Sequence, residues 1–281
     1  MDIISLNQLY TYDTYCQDVK RMQEKYKNSL KVCCLGKSLD QRNIFALYAG
    51  IGTRSILLSA GVHGRESNNT IVLMKLLEQF VKAPREGYSL YVLPLVNPDG
   101  YTIALEGKES IKNKELRQLA EENAVPAKEW KANARGVDIN RNFPSIDWKK
   151  TKEQKLPASE PETRIMMDVM LERPFSLYLD IHSRGEEIYY FRHSMGKAYN
   201  DRQKVLAEKM AAVSGYACVP PKRELDPESG GGNTVHFTAE YGDIPSFTIE
   251  TMKEESTFPL DVGAQEEIWQ RIREMPFVEG I

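Results

Sequence analysis

The chain is poor in cysteine, histidine and tryptophan, with four, four and three of these residues among 281. The four cysteines form no C-x-x-C pair, so the sequence predicts reduced thiols rather than a disulfide framework or a cysteine-based metal site. No apolar run reaches the roughly 18 residues of a membrane helix, and no basic segment followed by an apolar run opens the chain. We therefore expect neither a membrane partner nor a signal peptide, which favours a cytoplasmic protein.

An excess of one charge sign is also missing, because 37 basic residues face 40 acidic ones and the formal net charge is -3. This balance gives no electrostatic reason to expect nucleic acid or an anionic membrane as a partner. Repeats and Pro/Gly/Ser-rich linkers are absent as well, and 281 residues are enough for one large hydrophobic core. We therefore expect one domain over residues 1–281.

Predicted strands and helices alternate along the chain, which is typical of an α/β fold. Strands are predicted over 30–35, 43–49, 54–60, 88–96, 175–181 and 246–249, and helices over 11–27, 71–81, 159–172, 198–214 and 263–275. The segment 97–100 (Asn-Pro-Asp-Gly) is a turn signal, and Ser159 with Glu162 resembles a capping box. Residues 105–135 are polar and weakly patterned, so we expect a long excursion with short helices there.

Three side chains with metal-binding or acid–base chemistry follow the ends of three separate predicted strands. They are His63, His182 and Glu250, and ligand sites of open α/β sheets prefer this edge. Together with Glu66, the two imidazoles make a two-His, one-Glu set that suits Zn²⁺ and leaves one coordination position for water. Glu250 is a further carboxylate, which could act as the base on that water.

Each part of this set has an ordinary interpretation when it is taken alone. His63 and Glu66 are compatible with a loop histidine and a glutamate favoured by the macrodipole at the start of a helix. His182 is compatible with a hydrogen-bonded histidine at a strand edge. Scattered core residues would not be expected at three strand ends, so the combination favours the metal site.

A second polar cluster covers residues 135–142 (Arg-Gly-Val-Asp-Ile-Asn-Arg-Asn). Arginine suits bidentate binding of a carboxylate, and it also suits a carbonyl oxygen or an oxyanion. The alternative is a solvated polar loop. The apolar residues Val137, Ile139 and Phe143 lie among the charges, which favours a binding site over that alternative.

Six ordered segments resemble the zinc metallocarboxypeptidases of the carboxypeptidase A group. They are Gly-Val-His-Gly-Arg-Glu (61–66), Asn-Pro-Asp-Gly-Tyr (97–101), Gly-Val-Asp-Ile-Asn-Arg-Asn-Phe (136–143), Ser-Glu-Pro-Glu-Thr (159–163), Asp-Ile-His-Ser (180–183) and Phe-Thr-Ile-Glu (247–250). The resemblance implies a mixed, mostly parallel twisted sheet flanked by helices. It also implies peptide-bond hydrolysis with one zinc ion as the cofactor.

The resemblance further implies roles for the matching residues of the metal set. His63, Glu66 and His182 would bind zinc, and Glu250 would be the general base and acid. These assignments agree with the metal site that the residue types indicate.

It implies four further roles within the polar cluster. Asn140 and Arg141 would hold a substrate carboxylate, and Arg135 would polarise the scissile carbonyl and hold the oxyanion. Asp138 would accept a proton from the far nitrogen of His63, since metal-binding histidines are usually held by such a carboxylate.

The chain departs from the digestive members of this family, which carry a mobile tyrosine shortly before the glycines that precede the last site strand. Residues 226–232 contain no tyrosine, so their side-chain preference does not carry over. The runs 130–138 and 180–190 instead resemble bacterial members that cut γ-D-glutamyl-diaminopimelate bonds in murein peptides. The resemblance therefore implies a peptide or muropeptide substrate.

Two histidines and two other functions complete the predictions. His193 is interpreted as an ordinary polar residue, and His236 is either that or a residue of the substrate pocket, because it lies between the triple glycine and Glu250. An N-acyl amino acid deacylase of the aspartoacylase type would share the ligand pattern. A peptide-binding pseudo-enzyme would have lost a ligand or the base, and the sequence retains all of them.

Overall fold

Eight strands form one mixed sheet in the computed structural model, which describes residues 2–151, 155–224 and 232–280. They are β1 (Leu30–Lys37), β2 (Asn43–Gly50), β3 (Arg54–Ala60), β4 (Tyr88–Leu93), β5 (Leu177–Ser183), β6 (Glu187–Tyr189), β7 (Ala217–Cys218) and β8 (Ser246–Thr251). Their order is β1-β2-β4-β3-β5-β8-β6-β7. The pairs β3/β4, β3/β5, β5/β8 and β6/β7 are parallel and the others antiparallel, so the predicted α/β fold with a mixed sheet is confirmed.

The helices are α1 (Tyr12–Lys25), α2 (Asn68–Lys82), α3 (Pro98–Glu106), α4 (Lys114–Glu122), α5 (Pro161–Glu172), α6 (Lys197–Ser214), α7 (Pro221–Glu224), α8 (Thr234–Gly242) and α9 (Gln265–Ile272). The five predicted helices correspond to α1, α2, α5, α6 and α9. The predicted excursion contains α4 and packs its own small apolar cluster around Trp130. Within the described residues, no helix is both long and apolar enough to cross a membrane.

Both faces of the sheet carry an apolar core. On one face, residues such as Val19 of α1 and Leu73 of α2 join the cluster that also includes α6 and α9. On the other face, Met166 of α5 and Phe237 of α8 pack together against the strands. Every residue of β5 is buried, as expected for a central strand covered on both sides. The four cysteines are free thiols, of which Cys33 and Cys34 are exposed.

The predicted turn at 97–100 is the beginning of α3. Asn97 is the N-cap, and its side-chain oxygen accepts a hydrogen bond from the Gly100 backbone N–H at 2.9 Å. Pro98 lies in the first turn of the helix, where its missing N–H costs nothing. A Cβ on Gly100 would lie 2.2 Å from the Ala132 carbonyl oxygen, so close backbone approach explains the glycine.

The predicted helix α5 is confirmed, but the capping box assigned to it is wrong. The N-cap is Glu160, and no side chain caps the helix. Ser159 lies one residue too early and donates its hydroxyl to Glu160 Oε1 at 2.7 Å. Pro161 at the first helical position fixes where the helix begins.

Candidate active site

The carboxyl ends of three neighbouring parallel strands bring the predicted site residues together. Strands β3, β5 and β8 lie side by side, so His63 after β3 comes close to His182 on β5. His182 is paired in register with Glu250 of β8, and both residues lie inside their strands rather than just after them. The loop after β3 packs closely, because a Cβ on Gly64 would lie 2.2 Å from the backbone of Gly100.

His63, Glu66 and His182 form a buried cluster whose ligand atoms all lie within 4.8 Å of one another. His63 Nδ1 is 2.7 Å from Glu66 Oε1, and His182 Nδ1 is 3.0 Å from Glu66 Oε2. The two Nδ1 atoms are 3.1 Å apart. Two imidazole nitrogens and a carboxylate thus converge on one point, as a metal-binding set does.

A carboxylate lies beside the far nitrogen of each imidazole. Asp180 Oδ2 is 2.9 Å from His182 Nε2, and Asp138 Oδ1 is 3.4 Å from His63 Nε2. The second distance is an ion-pair contact, longer than an ordinary hydrogen bond. Such carboxylates orient metal-binding histidines and increase their basicity. The sequence prediction named Asp138 and missed Asp180, although Asp180 and His182 are two residues apart on one strand and so share a face.

Asp180 is itself held by the fold. The Ser59 hydroxyl donates to Asp180 Oδ1 at 2.6 Å, and the Thr234 hydroxyl donates to Asp180 Oδ2. The Ser183 backbone N–H donates to Glu66 Oε2 at 3.2 Å. These bonds fix the carboxylates before any ligand binds.

The electrostatics of the cluster favour a cation. Burial acts to raise the pKa of Glu66, but His63 and His182 outweigh it and hold that pKa well below its usual range. Burial acts to lower the pKa of His182, but Asp180 and Glu66 outweigh it and raise that pKa well above its usual range. Carboxylates thus surround the two imidazoles, and their negative field suits a bound metal ion.

Glu250 lies beside this cluster and is not one of its close partners. Burial raises the pKa of Glu250 to about 8, and the negative charge of Glu66 adds to the effect. Its Oε2 atom is buried and has no hydrogen-bond partner among the described residues. A buried carboxylate that is readily protonated and has an open oxygen suits transfer of a proton to and from a bound molecule.

Asn140, Arg141 and Glu250 all line a cavity of about 220 Å³. Asn140 Oδ1 accepts a hydrogen bond from the Thr234 backbone N–H at 3.2 Å, which ties the polar cluster to α8. His236 of α8 lines the same cavity. That His236 belongs to a substrate pocket stays a prediction.

Arg135 has another partner in the structure. Its Nη2 atom is 2.8 Å from both carboxylate oxygens of Glu160, a residue that is 1% exposed.

Lys131, to which the sequence prediction gave no role, contacts the carboxylate beside the His63 imidazole. Its Nζ atom is 2.7 Å from Asp138 Oδ2, and its backbone oxygen accepts from the Gly64 N–H at 3.2 Å. Lys131 belongs to the run 130–138 that resembles bacterial members of the family, but the sequence analysis gave it no role, because its position depends on how the excursion folds back.

The fold and the site together define a metallohydrolase of the peptidase class. Residues 15–273 match the model of the zinc carboxypeptidase family, Peptidase_M14, and the chain belongs to that family. Membership makes the chain a hydrolase of the metallopeptidase type, as the sequence predicted.

Two curated relatives and one solved structure illustrate the likeness. Protein YqgT of Bacillus subtilis is 33% identical over 186 residues, 56% of this chain and 49% of its own length. Gamma-D-glutamyl-L-diamino acid endopeptidase 1 of Lysinibacillus sphaericus is 26% identical over 297 residues, 95% of this chain and 71% of its own length. The chain thus spans about half of the first relative. Bovine thrombin-activatable fibrinolysis inhibitor shares the fold, with a TM-score of 0.77 at 18% identity over 96% of each chain.

Proposed function

We propose that this protein is a zinc-dependent metallocarboxypeptidase that hydrolyses a peptide or isopeptide bond next to a free carboxylate. The observation that carries the proposal is the position of Glu250. Glu250 is paired in register with His182 of the donor set, and it lines a cavity whose walls include Arg141 and Asn140. A metal set alone would serve many hydrolases, and the arginine and asparagine of the cavity suit a substrate with a free carboxylate. An N-acyl amino acid deacylase would need such an arginine too, so the Asn-Arg-Asn run (140–142) and the order of the six segments are what favour the peptidase.

Zinc is the metal that fits these donors. Two nitrogens and one carboxylate oxygen are an established zinc set, and three protein ligands leave a position open. The two Nδ1 atoms, 3.1 Å apart and facing the same carboxylate, would both be satisfied by one cation. When bound, zinc supplies a Lewis acid and lowers the pKa of a coordinated water.

The residues around the metal set divide the remaining work. Glu250 would take a proton from the attacking water and pass it to the leaving amine. Its raised pKa suits the second transfer, and a nearby cation would lower that pKa toward the range of a base. Asn140 and Arg141 would hold the free carboxylate, so that a group which does not react orients the bond that does.

We assign to Lys131, in place of Arg135, the stabilisation of the negative charge that develops on the carbonyl oxygen. The Lys131 ammonium acts on Glu250, lowering its pKa, so its field reaches the reacting centre. Arg135 would instead support the loop through Glu160, to which its guanidinium is bound. Positive charge aimed at an oxygen that becomes negative stabilises the transition state more than the substrate.

A murein peptide is the substrate class that we favour. The relative aligned over 95% of this chain is named for a γ-D-glutamyl-L-diamino acid bond. In L-Ala-γ-D-Glu-diaminopimelate, the nitrogen of the γ-D-Glu amide bond belongs to diaminopimelate, whose α-carboxylate is free. Asn140 and Arg141, which line the cavity with Glu250, would bind that carboxylate.

The test is to incubate the zinc-loaded protein with this murein peptide, with ordinary L-peptides and with N-acyl amino acids, and to follow amine release. Each reaction is repeated with a chelator and again after zinc is restored. We expect cleavage of the murein peptide that the chelator abolishes and zinc restores. Cleavage of L-peptides alone would contradict the murein assignment, and cleavage of acyl amino acids alone would support the deacylase.

The role of Glu250 has its own test. We expect Glu250→Gln to abolish turnover while the protein keeps one zinc, measured by metal analysis after dialysis. The exposed Glu255→Gln is the matched control and should retain full activity. A Glu250→Gln variant that keeps most of its activity would show that the mechanism is wrong.

A further inference from the structure

A second cavity lies at the amino ends of β3 and β4, opposite the candidate active site. Gly52 precedes β3 and lines this cavity, as does Tyr88, the first residue of β4. His63 follows the other end of β3, and the seven residues of that strand span about 20 Å. The volume of the second cavity is about 890 Å³, against about 220 Å³ for the cavity beside Glu250, and it lies in the range of small-molecule sites.

Two loops of this cavity are held together through their backbones. The Gly52 N–H donates to the Tyr88 carbonyl at 3.2 Å, and the Arg54 N–H donates to the Gly87 carbonyl at 3.0 Å. The Ser89 hydroxyl donates to the Gly52 carbonyl at 3.0 Å. A Cβ on Gly52 would lie 2.0 Å from the Gly87 carbonyl carbon, so the loops pack backbone against backbone. This part of the cavity is therefore formed by the fold before a ligand arrives, which lowers the cost of binding.

The inner lining of the cavity is apolar. Its buried residues are Leu30, Ala49, Phe80 and Val81. The Phe80 ring is stacked on the Phe277 ring, with 5.8 Å between the ring centroids, which fixes the aromatic part of the wall. Ile51 adds a fully exposed aliphatic side chain to the lining. A hydrocarbon chain bound here would remove this surface and its own from water, which favours binding.

The charged groups of the lining favour an anion. Lys27 and Lys31 are exposed, and within the described residues neither ammonium group has an ion pair or a hydrogen bond. Arg85 also lines the cavity, but its guanidinium is already paired with Glu274. Glu86 is the one acidic residue of the described lining. The two unpaired lysines outnumber it, so a carboxylate in the cavity would meet a net positive charge.

We infer that this cavity is a second binding site, which takes an anion with a hydrocarbon body, a fatty acid carboxylate. The acyl chain would lie on the buried apolar lining, and the carboxylate would face Lys27 and Lys31 on the exposed side. None of the lining residues belongs to the candidate active site, so the inference goes beyond the proposed function and does not depend on it. A ligand held here would bind without competing with a peptide substrate.

Isothermal titration calorimetry of the zinc-loaded protein with decanoate tests the inference, with decylamine as the cation of equal chain length and hexanoate as the shorter carboxylate. We expect decanoate to bind about tenfold more tightly than decylamine, because two ammonium groups attract the carboxylate and repel the amine. Each methylene removed should weaken binding about two- to fourfold, so hexanoate should bind much more weakly. Equal affinity of decanoate with either decylamine or hexanoate would overturn the inference.

Charge variants test where the carboxylate lies. Lys27→Gln and Lys31→Gln should each weaken decanoate binding about two- to fivefold, as the loss of an exposed ion pair does, and Glu86→Gln should strengthen it. Lys37→Gln is the matched control, since it removes the same charge from an exposed residue of the strand that carries Lys31, and Lys37 does not line the cavity. An unchanged affinity in both cavity variants, or the same loss in Lys37→Gln, would contradict the assignment.

A carboxylate probe also suits Arg141 in the candidate active site, so Arg141→Gln is titrated alongside. The second site predicts an unchanged affinity for decanoate in this variant and in protein from which a chelator has removed zinc. Loss of binding in either would place decanoate at the active site and overturn the inference. Peptide hydrolysis is measured separately, so a failure of the second site leaves the proposed function standing, and the reverse also holds.

Discussion

Substitution of Lys131 tests whether Lys131 or Arg135 is the cation that stabilises the oxyanion. Lys131 Nζ is 2.7 Å from Asp138 Oδ2, and its backbone is tied to the loop that carries His63 through the Gly64 N–H. Removing a donor that stabilises a developing oxyanion typically costs about 10²–10³ in kcat. We expect a loss of that size in Lys131→Met, measured as kcat on the preferred peptide, with Lys131→Arg recovering part of it.

Arg135→Gln should behave in the opposite way. It leaves the buried carboxylate of Glu160 without its guanidinium partner, which is expected to cost about 1.5–3 kcal/mol of stability. Asn133 and the Ser159 hydroxyl still bind that carboxylate, so the loop should keep its shape and kcat should fall only a few-fold. Thermal unfolding and steady-state kinetics on the same preparations measure both effects.

The two variants also control for each other. Lys131→Met with an unchanged melting temperature and a large loss of kcat would support the assignment of the oxyanion to Lys131. If Arg135→Gln loses kcat by two orders of magnitude and Lys131→Met does not, the reasoning is refuted and Arg135 regains the role predicted from the sequence. Zinc content is measured throughout, because Lys131 also contacts Asp138.

The remaining predictions concern stability and metal binding. Burial raises the pKa of Glu162 to about 8 from its usual value of 4.5, so between these pH values the folded state keeps a proton that the unfolded state has released. The free energy of unfolding therefore falls as pH rises through this range, by about 1.4 kcal/mol per pH unit. The stability of Glu162→Gln relative to the parent protein should therefore be higher at pH 8–9 than at pH 5. The same difference between the unfolding curves of the two proteins at both pH values would contradict this. Asp138→Asn should weaken zinc binding about 10–100-fold in a chelator competition, and an unchanged affinity would exclude a supporting role. Removing zinc should lower the melting temperature as well as activity, since a ligand bound only by the folded state stabilises it.

The predicted strands and long helices agree with the structure because each is encoded by local periodicity. The buried run 54–60 predicts β3 at its observed bounds, and the amphipathic pattern after Asn69 predicts α2. The short strands β6 and β7 were missed, because two or three residues carry no period and their pairing partners lie far away in the chain. The turn predicted at 97–100 became a helix start, since the N-cap asparagine and the following proline suit both structures.

The part of the site that contains the proposed metal ligands and Glu250 could be predicted for a related reason. His63, His182 and Glu250 each depend on one strand, and parallel strands bring their carboxyl ends to one edge whatever the rest of the chain does. Lys131 could not be found in this way, because it lies in the excursion and reaches the site only through the packing of a loop on Gly64.

The two ends of the site therefore differ in what determines them. His182 and Glu250 lie on strands of the sheet and His63 follows one, whereas the cavity beside Glu250 depends on pairs that join distant segments, Arg192 with Glu224 and Arg223 with Glu187. A change in α7 or β6 can alter the cavity without moving a proposed metal ligand. Proteins with this donor set can consequently share the hydrolytic chemistry and differ in substrate, so side-chain preference must be argued from the cavity walls and not from the metal ligands.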